Sequence, residues 1–187
     1  MAKSNPSTIL LKGDPMPLEY LADGAITPGH LVKLDSDGKV TVHATAGAYT
    51  PVYIAREHET DGGDIDEAYA AADTCFIYHC KPGDEVYVLL PASATAVVIG
   101  DLLESAGDGT FRKVAAALTD NSGGTANTTL QAIGGSYTEA EVENNFADVA
   151  LAINTYKAGS TALLQALEAI DNSGGGSAAR IKARVIR

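Results

Sequence analysis

Glycine and Asp-Gly steps at a fixed spacing constrain this chain more than any other feature. Gly29-His30-Leu31-Val32 is followed, nine residues after its glycine, by Asp37-Gly38, and Gly100-Asp101-Leu102-Leu103 is followed by Asp108-Gly109 at the same distance. Each leading glycine lets the backbone turn into a strand where a side chain would obstruct it, and each Asp-Gly reverses the chain. Between the two copies, Pro82-Gly83-Asp84-Glu85-Val86 echoes Pro28-Gly29-His30-Leu31-Val32. Short apolar or alternating runs surround these steps. Leu31–Leu34 and Lys39–Val42 flank Asp35-Ser36-Asp37-Gly38 in the pattern of a hairpin, and Pro51–Ala55, Thr74–Cys80 and Glu85–Leu90 follow. Such a sequence predicts at least six short strands before residue 115, the grammar of a small barrel.

Composition narrows the class. A chain of 187 residues with 45% apolar and 20% charged side chains has the material for a packed core and for one domain with an elaboration. Its 19 glycines, three Phe and no Trp favour close backbone packing over a large aromatic core. No apolar run reaches the roughly 18 residues of a membrane span. The net charge of −11 argues against a broad phosphate-binding face, so neither nucleic acid nor membrane is an expected partner. Met1-Ala2-Lys3-Ser4-Asn5-Pro6 lacks a secretory apolar stretch, and two cysteines make no disulfide framework, which predicts a product of the cytoplasm.

Four segments are expected: an extended N-terminal arm over 1–18, marked by Pro6, Pro15 and Pro17; a β-barrel over 19–117; a linker and helical insertion over 118–176; and a final strand over 177–187. Ser136-Tyr137-Thr138-Glu139 has the form of a capping box. Val142, Phe146, Val149, Ile153 and Tyr156 then fall at steps of four and three, and Leu163, Leu167 and Ile170 continue that register, which predicts a helix or a helical hairpin broken near Gly159. Its seam packs either on its own barrel or between copies. The predicted fold class is therefore mainly β with an α-helical insertion: a small barrel plus a helix or hairpin.

Reactive constellations are few. His30, His43, His58 and His79 show no HxxxH or HExxH spacing, and Cys75 and Cys80 stand five apart on a predicted strand, pointing to opposite faces as small core thiols. Asp61, Asp64, Asp66 and Glu67 lack the order of a calcium loop and read as a solvated acidic loop. No Gly-rich run has a nucleotide-binding form. We expect no catalytic set, no metal and no cofactor. Arg180, Lys182 and Arg184, with Arg187 beyond them, alternate with Ile181, Ala183 and Val185, so the last strand has a basic face. That face either discourages edge pairing or meets an acidic neighbour.

Tyr20-Leu21-Ala22-Asp23-Gly24-Ala25-Ile26-Thr27-Pro28-Gly29-His30-Leu31-Val32, the Pro82-Gly83-Asp84-Glu85-Val86 turn and the Gly100-Asp101-Leu102-Leu103 run resemble the head decoration, or capsid cement, proteins of tailed bacteriophages. The likeness spans roughly residues 10–115 and 179–187. Residues 118–142 and the Ala-rich heptads resemble a module found at the ends of phage virion proteins. The resemblance implies a barrel of the β-tulip kind, acting as a homotrimer on the outer capsid surface of the virion and bound to the major capsid protein, with the arm (Ser4, Pro6, Ile9, Leu11, Pro15, Pro17) lying along a capsid subunit. The rival reading is a tail- or fibre-associated protein that stacks host glycan on Tyr20, Tyr49, Tyr53 or Tyr69.

Overall fold

The structure is a computed structural model and describes residues 6–58, 63–114 and 161–187. These belong to one unit, built from Met1–Val114 and Thr161–Arg187; Ala115–Ser160 form a second, which lies outside the described residues. Eleven strands make up the first unit: β1 (Leu10–Lys12), β2 (Met16–Leu21), β3 (Leu31–Leu34), β4 (Val40–Val42), β5 (Tyr53–Ala55), β6 (Thr74–His79), β7 (Glu85–Leu90), β8 (Leu102–Ser105), β9 (Phe111–Lys113), β10 (Leu164–Ala166) and β11 (Ala179–Val185). They form two antiparallel sheets, ordered β2-β6-β5-β3-β4 and β1-β7-β11-β10-β8-β9.

The glycine echo is a hairpin built twice. Gly29 and Gly100 both take left-handed φ, +94° and +93°, two residues before β3 and β8, and Gly38 and Gly109 do so at +75° and +82° in the turns that follow. The registers coincide: Val32 faces Val42 as Leu103 faces Lys113, and Leu34 faces Val40 as Ser105 faces Phe111. The match extends beyond the hairpins. Numbered within their own halves, β2 to β6 and β7 to β11 have the same spatial order, first-fifth-fourth-second-third. Three residues before each leading glycine an isolated bridge recurs, Ile26 to Tyr69 and Val97 to Ile170. The turn hydrogen bonds recur too, with Gly29 N donating to Ala55 O (2.8 Å) and Gly100 N to Ala166 O (2.9 Å). The unit is thus two five-stranded repeats, with β1 added at the outer edge of β7.

Each repeat closes over its own core. Ala22, Ile26, Val32, Val40, Cys75 and Ile77 fill the first, and the bridge from Ala22 to Val40 draws the two edges of its sheet together. The matching positions of the second, Leu90, Val97, Leu103, Phe111, Ile181 and Ala183, are likewise buried. The first repeat is covered on both faces, because Leu31 and Ile54 point outward from its core into that of the second. The Pro82-Gly83 echo has a different meaning: Gly83 leads into β7, the counterpart of β2, so this motif repeats a turn and not a hairpin.

Two expectations require correction. The architecture is two antiparallel sheets rather than a β-tulip barrel carrying a helix, and no helical element occurs among the described residues. Leu163, Leu167 and Ile170, read as the end of a heptad stripe, belong to β10 and its flanks: Leu163 and Leu164 are fully buried, and β10 pairs with both β8 and β11. Leu163 and Leu164 are adjacent and both buried while Gln165 is only half-buried, so the leucine before this three-residue strand breaks its alternation and imitates helical spacing over so short a run. Val142, Phe146, Val149, Ile153 and Tyr156 lie outside the described residues. The N-terminal segment is not a free arm from Ile9 onward. Ile9 is fully buried, β1 pairs with β7 and β2 pairs with β6 along its whole length. Pro15 and Pro17 suit this placement, since β2 is an edge strand that tolerates a missing amide donor.

The two hairpin turns make a built-in control. A Cβ on Gly38 would meet nothing within 4 Å, whereas one on Gly109 would stand 3.0 Å from Val42 Cβ and 3.2 Å from His30 Cγ. Gly38→Ala is expected to cost about 1 kcal/mol, the conformational cost alone. Gly109→Ala should lose at least about twice that, because a packed neighbour must also move. Urea unfolding of the two variants checks the difference.

Candidate functional site

Among the described residues both thiols are buried, and the histidines are held in local contacts. Cys75 lies in the core of the first repeat and Cys80 in the main core, on opposite sides of their strand. Burial pushes the Cys75 thiol up to about 12 and raises that of Cys80 further, and the thiolate is the reactive form. His43 Nδ1 lies 2.9 Å from Ser105 Oγ, a base and a hydroxyl in contact that the sequence did not announce, but both residues are buried. Thr27 N donates to His30 Nδ1 at 3.1 Å, so this ring caps the turn before β3; in the second repeat Val98 N donates to Asp101 Oδ2 at 2.9 Å in the same place. His58 stacks on Phe76, and His79 lies against Tyr53 with the two rings tilted at 52°. No three His, Cys, Asp or Glu among the described residues are grouped to hold a metal ion.

The basic strand face is neutralised within the chain. Arg180 Nη2 lies 3.2 Å from Asp66 Oδ1 and also donates to the carbonyl of Ile65, while its Nη1 donates to Pro28 O. Lys182 Nζ faces Glu168 at 3.9 Å and Arg184 Nη2 meets Glu85 at 2.9 Å. A cavity of about 410 Å³ opens beside Arg180, lined also by Pro6, Asp64, Asp66 and Tyr87. Its guanidinium is already held by a carboxylate and two carbonyls, so the cation that lines the cavity is committed within the chain. Glu104 is the most deeply buried acid among the described residues: Arg112 donates to it from Nε (3.1 Å) and Nη2 (2.9 Å), and Thr161 Oγ1 donates at 2.7 Å.

The residues expected to touch other molecules are scattered. Ser4 lies outside the described residues, Pro6 and Leu11 are half-buried, Ile9 and Pro15 are buried, and Pro17 is exposed. Of the four tyrosines considered for glycan stacking, Tyr69 is buried with its hydroxyl donating to Arg56 O, Tyr20 and Tyr53 pack against the first core, and Tyr49 alone is exposed. What stands out on the surface is apolar: Leu21, Leu34, Val98, Ile99 and Ile186, with Met16 and Tyr49. These lie on strand ends, turns and a chain end rather than in a cleft. The sequence matches no family model and no curated protein.

Two stability predictions follow from these groups. Arg112→Met leaves the Glu104 carboxylate buried with Thr161 as its remaining side-chain donor among the described residues and should cost about 2–3 kcal/mol, less than a wholly buried pair because Arg112 is itself 39% exposed; the Arg112→Met, Glu104→Gln double variant should recover part of that loss in denaturant unfolding. The His43 pKa is lowered from 6.5 by burial first and by Lys33 second. The unfolded chain therefore takes up this proton at higher pH than the folded one, so the ring's contribution is complete above about 6.5 and declines as the solution is acidified. The urea midpoint should fall between about pH 7.5 and about pH 5.5, and His43→Gln should lessen that fall.

Proposed function

We propose that this protein is a capsid decoration protein of a tailed bacteriophage, which binds the major capsid protein on the outer surface of the head as a homotrimer and stabilises the expanded shell. The observation that carries this reading is the distribution of its groups. Among the described residues, thiols and the Ser105–His43 pair are buried, the basic strand face is matched by the chain's own acids, and seven large apolar side chains are exposed on turns, loops and strand ends. Such a molecule works through its surfaces. The resemblance of its glycine-turn motifs to capsid cement proteins names the surface it would cover.

The mechanism is thermodynamic linkage. A protein that binds the expanded lattice and neither its precursor nor its burst form stabilises that lattice by about 2.7 kcal/mol per site when its free concentration is ~100 times Kd. Several subunits joined in one assembly add their contacts through effective concentration. Since β1 and β2 belong to the folded body, the arm available for a capsid contact is the stretch before Ile9. Deleting residues 2–7 should leave the fold intact and sharply reduce occupancy on expanded heads stripped of decoration. Heads incubated with the intact protein should withstand a higher temperature before bursting. Failure of the intact protein to bind expanded heads, or equal binding to unexpanded precursor, would overturn the reading.

A further inference from the structure

The two repeats meet head to tail, and the same junction is left half-made at each end of the chain. Within the chain, the turn before β3 sits on the second repeat. Pro28 and Gly29 are buried there, Arg180 donates to Pro28 O, and Leu89 N approaches Gly29 O at 3.3 Å. In return, the tip of hairpin β8–β9 sits on the first repeat, where Leu31 N donates to Gly109 O at 2.7 Å and Gly47 N to Ser105 O at 2.9 Å. Cys80, just beyond β6, is 4% exposed at the same junction.

Each of these elements has a counterpart without cover. Val98 and Ile99 correspond to Thr27 and Pro28, and they are 56% and 69% exposed. Leu21 corresponds to Leu89, and it is 50% exposed against 6%. Leu34 corresponds to the buried Ser105, Gly38 to the tightly packed Gly109, and Ile186 to Cys80. Four of the seven large apolar side chains exposed among the described residues, Leu21, Leu34, Ile99 and Ile186, thus occupy positions that the other repeat buries, and the counterpart of a fifth, Val98, is half-buried. A pseudo-twofold pair would have buried both sets. Here one set belongs to the turn side of the second repeat (Val98, Ile99, Ile186), the other to the strand-end and hairpin side of the first (Leu21, Leu34).

We infer that the occupant of both is a second copy of this chain: the turn at Val98–Gly100 of one copy seats on the Leu21 and Leu34 side of the next, continuing the interface that the repeats already share. The contact is heterologous, so it builds a ring where its rotation closes and a filament where it does not. It gives the self-association in the proposed function a specific surface, but it rests on the repeat and not on the capsid. An assembled protein that ignores expanded heads would sink the capsid reading and leave this one standing.

Sedimentation of the full chain tests it, with circular dichroism to confirm the fold of each variant. Ile99→Asp and Leu21→Asp should each reduce the assembly to the 19.2 kDa monomer. Mixed in equal amounts they should form one-to-one dimers, because the intact turn of the Leu21 variant still meets the intact acceptor of the Ile99 variant. If either variant misfolds, Val98→Asp or Leu34→Asp takes its place. A parent protein that stays monomeric at its highest soluble concentration, variants that keep the parent mass, or a mixture that stays monomeric would each overturn the inference.

Discussion

The seat of the β8–β9 turn on the first repeat is the contact on which the rest of the structure depends. At Gly109 the chain segments approach so closely that the residue donates to His43 O, accepts from Leu31 N and would bring a Cβ to 3.0 Å from the Val42 side chain. That approach brings Leu31 and Ile54, on the outer face of the first repeat, into the core of the second. Each repeat alone is a handful of short strands around small side chains. A chain with three Phe and no Trp gains little from any one buried residue, and a repeat of this size would be marginal by itself. Docking the repeats merges that outer face with a second core.

A duplicated unit also has a surface consequence. Two similar units joined head to tail bury one copy of each complementary surface and expose the other. The apolar residues at Val98, Ile99, Leu21 and Leu34 follow from this arithmetic without any separate binding pocket. Several arginines, by contrast, are matched by acids of the same chain: Arg180 by Asp66, Arg184 by Glu85, Arg112 by Glu104. An uncovered apolar turn is a surface that desolvation favours covering, and this is the physical basis of the self-association and lattice binding proposed above.

The turn chemistry was legible at the level of single residues. Only glycine is comfortable at φ near +90°, so Gly29, Gly38, Gly100 and Gly109 marked their hairpins in advance. Cys75 and Cys80 were legible too, because strand geometry alone sends residues five apart to opposite faces. The N-terminal segment was not. Three prolines in 18 residues read as an arm, yet Pro17 stands on an edge strand where no amide is needed, and which strand forms the edge is a property of the whole sheet. The stretch around β10 misled for a related reason: Leu163 and Leu164 are both buried, just before and within a strand whose two edges are paired by β8 and β11, while Leu167 and Ile170 supplied a false heptad.

The amino-acid sequence by itself determined where the chain turns, which runs extend between turns, and that two hairpins share one spacing; these are local matters of φ, side-chain period and Asp-Gly chemistry. The pairing of β10 between β8 and β11, the enlistment of the N-terminal prolines into a sheet, the internal matching of the basic face, and the choice of which copy of each repeated surface is covered were decided by tertiary structure. Each joins residues far apart in the chain, and no local pattern encodes the partner that a distant segment will bring.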